Sequence, residues 1–169
     1  MRKKNVTAVR ADLPGLMPRL WRYALVLSGN RTDAEDLAQA TAIRALERAH
    51  QFQTGTRMDR WCFSILSSIW KNELRARAVR RGQGFVPIEG ADLQVPGGQE
   101  VNILARQVFT QIMQLPEAQR ETVHLVYVEG YSYAEAAERL DIPIGTVMSR
   151  LANARRKLNA DQEPKVAAR

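Results

Sequence analysis

Apolar residues recur along this chain at intervals of three and four, and nowhere do they alternate with polar ones long enough to read as a strand. Leu13, Leu16, Leu20, Tyr23, Ala24 and Leu27 form the first stripe, which stops at Ser28-Gly29-Asn30. In Thr32-Asp33-Ala34-Glu35 a hydroxyl and a carboxylate stand three positions apart, which predicts a capping box opening a helix that runs to about His50. Asp33, Glu35 and Asp36 suit the positive end of that helix. A third helix starts near Met58, buries Trp61, Cys62, Ile65, Leu66 and Ile69, and then turns basic in KNELRARAVRR, residues 71–81.

Residues 82–100 break this pattern. They hold five of the ten glycines, two prolines and no basic residue, the composition of a flexible tether. Periodicity resumes with Val101, Leu104, Val108, Ile112 and Met113, breaks at Leu115-Pro116, and continues in a helix from Glu117 to about Glu129 before a turn at Gly130. Ser132 and Glu135 make a second capping box. Ala136, Ala137 and Leu140 give the next helix a thin apolar side, Asp141-Ile142 is a short turn, and Pro143 is placed as the first residue of the following helix, where a missing N–H is tolerated. On that last helix Val147, Leu151, Ala154 and Leu158 face inward. Gly145, Thr146, Met148, Ser149, Arg150, Asn153 and Arg156 are left for the flanks and outer side.

The expected fold is therefore all-α, two small helical domains joined by a flexible linker. Residues 1–11 read as an N-terminal extension, 12–81 as the first domain, 82–100 as the linker, 101–160 as a domain ending in a helix-turn-helix, and 161–169 as a tail. Short hydrogen-bonding residues at the start of an exposed helix, with arginines further along, suit a DNA major groove: the first turns meet base edges and the cations meet phosphates.

Charge sharpens the picture. The net charge is +7, and residues 1–81 carry 16 Lys and Arg against 7 Asp and Glu. Such a field favours a polyanion through counterion release. Cys62 is alone, so it forms no intramolecular disulfide, and with the distant His50 and His124 it matches no metal-ligand spacing. No nucleophile elbow, phosphate-binding glycine loop or His-Glu helix motif is present, which argues against an enzyme, a cofactor or a small-molecule substrate. No apolar run approaches the roughly 18–20 residues of a membrane span, and a cytoplasmic protein is expected.

Two stretches carry a family resemblance. LPEAQRETVHLVYVEGYSYAEAAERLDIPIGTVMSRLANARRKL, residues 115–158, resembles region 4 of the extracytoplasmic-function (ECF) sigma factors of bacterial RNA polymerase. GNRTDAEDLAQATAIRALERAHQF, residues 29–52, and RWCFSILSSIWKNELRARAVRR, residues 60–81, are similar to their region 2. The resemblance implies an alternative sigma factor that directs promoter recognition, DNA melting and transcription initiation. Asp36, Leu37 and Gln39 would dock on the clamp of core RNA polymerase, whose flap is the other expected contact. Trp61 would support the core of the first domain. Ser68, Trp70, Lys71, Asn72 and Arg75 would hold the unpaired non-template strand of the −10 element. Gly145, Thr146, Met148, Ser149, Arg150, Asn153 and Arg156 would read or grip the −35 duplex.

An anti-sigma protein is the further partner implied. Ala40 stands where many relatives have an acid, Ser68 where an asparagine is common, and Met148 and Asn153 replace frequently basic positions. These departures point to altered contacts with the clamp and both promoter elements. Two other functions compete: a helix-turn-helix regulator independent of polymerase, and a sigma-like protein that titrates an anti-sigma factor.

Overall fold

The computed structural model describes residues 2–82 and 103–160, and side chains for 5–81 and 107–159; the linker and tail expectations lie outside these residues. The described helices are α1 (Arg2–Ser28), α2 (Arg31–Glu47), α3 (Met58–Gly82), α4 (Ile103–Met113), α5 (Glu117–Val123), α6 (Tyr133–Leu140) and α7 (Ile144–Ala160). Helices α1–α3 and α4–α7 belong to two separate compact units.

In the first unit α1 packs on α2 and α3. The helix begins at Arg2, so residues 2–11, set apart in sequence as an extension, are its opening turns. Their burial explains this: Val9 is fully buried with Ala49 and Phe52, and Val6, Met58 and Trp61 pack around them. Pro14 and Pro18 lie within α1, and each removes a backbone N–H. Both are exposed, as is Arg10, so the freed carbonyls lie on a side that water reaches.

Leu20, Tyr23, Leu27, Leu66 and Phe63 are the large side chains of this core, all 2% exposed or less. Tyr23 and Phe63 meet edge to face at 5.0 Å, and the Tyr23 hydroxyl shares a hydrogen bond of 2.9 Å with Ser67 Oγ, so its polar end is satisfied inside. Truncating Leu66 to alanine removes transfer energy and leaves a cavity, a cost of about 2–5 kcal/mol.

The cap of α2 differs from the sequence expectation. Asn30, not Thr32, is the N-cap: its Oδ1 accepts from the Asp33 amide at 2.8 Å and its backbone is extended. Thr32 lies exposed inside the first turn, and Glu35 pairs with Arg31 at 2.7 Å. The helix starts two residues earlier than the Thr32 pattern implies, so the first N–H to be capped is that of Asp33, which lies within reach of Asn30 and not of Thr32. The helix ends at Glu47, and residues 49–51 add a 3-10 turn.

In the second unit α7 packs against α4, α5 and α6. Of the expected α4 stripe, Met113 is buried, Ile112 half-buried and Val108 exposed; Val101 and Leu104 lie outside the described side chains. Arg120 is buried, and its Nη1 donates to the carbonyls of Met113 at 3.0 Å and Leu115 at 3.3 Å. The guanidinium thus ties down the open carbonyls where α4 ends. Beyond Val123 the helix widens into a π turn over His124–Val128, with the Glu129 amide bonding back to the His124 carbonyl at 3.0 Å. Gly130, at φ +70, ends it in the left-handed region.

Candidate nucleic-acid interface

The helix-turn-helix is built from local rules. Ser132 Oγ accepts from the Glu135 amide at 3.2 Å while Glu135 Oε2 accepts from the Ser132 amide at 2.8 Å, the capping box expected from the sequence. After α6 the Asp141 amide donates to the Glu138 carbonyl at 3.2 Å and the Ile142 amide to the Ala137 carbonyl at 3.1 Å. This double closure is a Schellman turn, with Asp141 at φ 56 in the position where glycine is usual. Pro143 stands just ahead of α7 and its carbonyl accepts from the Thr146 and Val147 amides. Ala136 and Ala137 on α6 and Val147, Leu151 and Ala154 on α7 are buried, and their slim side chains let the two helices pack closely.

That packing leaves the other side of α7 open. Gly145, Met148, Ser149 and Arg156 are exposed, and Thr146, Arg150 and Asn153 are half-buried. A Cβ at Gly145 would meet nothing within 4 Å, so the chain's own fold does not require a glycine there. Ser149 Oγ donates to the Thr146 carbonyl at 3.0 Å, which leaves its lone pairs free to accept from a base edge. The Arg156 guanidinium donates to Asn153 Oδ1.

Helix α3 has two faces. Ser68, Lys71, Asn72 and Arg75 lie three and four residues apart and are all exposed, with Arg75 Nη1 donating to Asn72 Oδ1 at 3.1 Å. On the opposite side Arg77 grips Asp33 of α2 through Nη1 at 2.9 Å and Nη2 at 2.8 Å, and its Nε donates to Glu73 Oε1 at 2.8 Å. Arg80 donates to the same Glu73 oxygen at 2.8 Å. The hydrogen bonds from Arg77 hold both the Asp33 and Glu73 carboxyls below their ordinary range.

The basic run is therefore divided: Arg77 is half-buried and held by two carboxylates, Arg80 is exposed but paired with Glu73, and Lys71, Arg75 and Arg81 are exposed. Trp70, expected among the strand contacts, is 5% exposed, and the Arg77 guanidinium lies 5.3 Å from its ring centre. It lies on the α2 side of the helix and is not part of the exposed face with Ser68, Lys71, Asn72 and Arg75.

On α2, Asp36 and Gln39 are exposed, but Leu37 is 5% exposed and belongs to the core stripe with Ala34, Ala38, Thr41 and Ala45. It supports α2 from beneath. The surface the sequence reading missed is apolar: Ile43 is 59% exposed and Leu46 44%, and they extend the line of Asp36 and Gln39 at helical spacing. The signal was present, since both fall outside the core stripe. A groove of about 260 Å³ runs between α2 and α3 beside Asp36, Ala40, Ile69 and Trp70.

Residues 15–80 match the family described as Sigma-70 region 2, and residues 105–158 match Sigma-70, region 4. The chain is 35% identical over 159 residues to the ECF RNA polymerase sigma factor EcfG of Rhodopseudomonas palustris, an overlap of 90% of this chain and 84% of that protein. The chain belongs to the ECF sigma factors. It is also 31% identical over 167 residues to the ECF RNA polymerase sigma factor SigC of Mycobacterium tuberculosis, covering 96% of this chain and 87% of that one. Among solved structures, the sigma factor RpoE in complex with the anti-sigma factor NepR from Bartonella quintana matches with a TM-score of 0.75 and 28% identity, over 92% of this chain and 98% of that one.

Region 2 of this sigma factor thus comprises most of α1 with α2 and α3, and the first turns of α1 lie ahead of the region 2 match. Region 4 ends in the helix-turn-helix. Sigma factors are transcription regulators and not enzymes. Among the described residues no helix is long and apolar enough to cross a membrane.

Proposed function

We propose that this chain is an alternative sigma factor that joins core RNA polymerase in the cytoplasm and directs it to a class of promoters, with α2 docking on polymerase, α3 holding the unpaired −10 strand and α7 reading the −35 duplex. One observation carries this reading: two separately folded helical units each expose a polar, cation-bearing helix face outside their own cores.

The chemistry differs between the faces. On α7 the exposed Gly145 and Ser149 stand in the first turns, where a groove-bound helix meets base edges, and Arg150 and Arg156 follow where phosphates pass. On α3 the exposed Lys71, Asn72 and Arg75 offer donors and charge to a single strand, and each phosphate neutralised steepens the salt dependence. Docking on the clamp uses Asp36 and Gln39 with the apolar Ile43 and Leu46 beside them. Binding the opened strand pulls the melting equilibrium forward. As the Bartonella quintana sigma factor RpoE forms a complex with the anti-sigma factor NepR, an anti-sigma protein is the further partner of this chain.

Run-off transcription tests the proposal. The purified chain with core polymerase should give defined transcripts from promoters selected out of a genomic library. A regulator independent of polymerase would bind duplex DNA alone and give none, and a protein that only titrates an anti-sigma factor would give none either.

A further inference from the structure

Counted as charge, Arg77 belongs with Lys71, Arg75, Arg80 and Arg81 as one more cation for DNA. Its geometry says otherwise. Both terminal nitrogens are spent on Asp33, its Nε on Glu73, and its plane lies near the Trp70 ring. Asp33 is itself tied to the start of α2, accepting from the Asn30 side chain at 2.7 Å, with its amide on the Asn30 cap. One guanidinium therefore links the first turn of the docking helix to the last third of the strand-binding helix. The two arms of an arginine fork on one carboxylate set orientation as well as distance, which a lysine cannot do.

We propose that Arg77 is a positioning residue and not a phosphate ligand: by gripping Asp33 over the Trp70 ring it sets the rotation of α3 that presents Ser68, Lys71, Asn72 and Arg75 to an unpaired strand. This rests on the sigma-factor reading of α3 and adds to it which cation does which work. A rotation of α3 about its axis would move those four side chains together, because they share one face opposite Trp70, Glu73 and Arg77. Losing the fork loosens the face without removing any group that touches DNA.

The two roles of an arginine separate in experiment. Holoenzyme made with the full chain is titrated with a labelled single-stranded oligonucleotide carrying the non-template −10 segment of a promoter it transcribes, at several KCl concentrations. Arg75→Gln should flatten the dependence of log affinity on log salt by about 0.7, one phosphate contact on a single strand. Arg77→Gln should weaken binding about five-fold with the slope unchanged.

Asp33→Asn decides most sharply. Removing an anion near DNA would tighten binding if Arg77 served as a phosphate ligand released from its partner, whereas loss of the fork weakens it. The double variant should be no weaker than either single one, since both break the same link. Arg77→Lys, which keeps one ion pair and protects the fold, should fall between wild type and Arg77→Gln. Core affinity should stay within about two-fold throughout.

A slope that falls in Arg77→Gln, or tighter binding by Asp33→Asn, overturns the assignment of Arg77 alone. If Arg75→Gln changes neither affinity nor slope, the strand-binding reading of α3 fails instead.

Discussion

Five cations lie between positions 71 and 81, and a charge count treats them alike. Contact geometry separates them, as it separates the buried Trp70 and Leu37 from the exposed residues of their own helices. Cys62 shows the opposite case, a side chain whose inert role was legible from its solitude and its place on an apolar stripe. It is fully buried, and burial, aided by the charge of Asp59, pushes its thiol up to about 11. Little of it is thiolate near neutrality, so Cys62 should resist maleimide in the native protein and react only after unfolding, a contrast that mass spectrometry reads directly.

Asp59 titrates the other way. Burial alone would raise its pKa, but hydrogen bonds from Arg57, the Arg60 amide and Arg19 outweigh this and lower it from 3.8 to about 2. A carboxyl that is more acidic folded than unfolded stabilises the fold above the ordinary carboxylate range. That stabilisation should disappear as pH falls from about 4 towards 2. Thermal melting across this range should show the decline in wild type and a shallower one in Asp59→Asn, which is already weaker at neutral pH.

At the scale of elements, caps and turns were read with mixed success for a definable reason. The Ser132–Glu135 box stands on a pattern with no nearby competitor, and it formed. Around Thr32 two helix starts compete, and the one that opens at Arg31 with Asn30 capping the Asp33 amide leaves Thr32 inside the first turn. Asn30→Ala should therefore cost about 1 kcal/mol in chemical denaturation, as should Ser132→Ala, whereas Thr32→Ala should change little.

The turn between α6 and α7 carries its own test. Asp141 occupies a left-handed conformation that aspartate tolerates and β-branched residues do not. Asp141→Gly should be neutral to slightly stabilising, and Asp141→Val should destabilise by about 1–2 kcal/mol and weaken duplex binding by misplacing α7. The early start of α1 escaped the sequence reading because two prolines and a basic, polar opening hide the residues that anchor it, among them Asn5, whose Nδ2 donates to the Phe52 carbonyl at 2.6 Å. Val9 packs on Ala49 and Phe52, some forty positions away in the chain.

For the whole molecule, the division into two helical units and the positive charge of the first half were both visible in composition and periodicity, and the proposed function calls for a separate test of each unit. Arg150→Ala should weaken recruitment to promoters that depend on the −35 duplex. Arg75→Ala should slow opening, and a template already melted across the −10 segment should restore transcription to the second variant but not the first. Wild-type activity of both variants on closed promoters would refute these two residue assignments while leaving the family membership untouched.

The sequence by itself determined the all-helical elements, the second capping box, the helix-turn-helix and the family, because helix periodicity and capping depend on residues within a turn or two of one another. Only the tertiary structure decided which cations are held by carboxylates, and that Trp70 and Leu37 face inward. Spacing tells which side chains share a helix face, but not which face another helix covers, and Asp33 and Arg77 meet across 44 positions of chain.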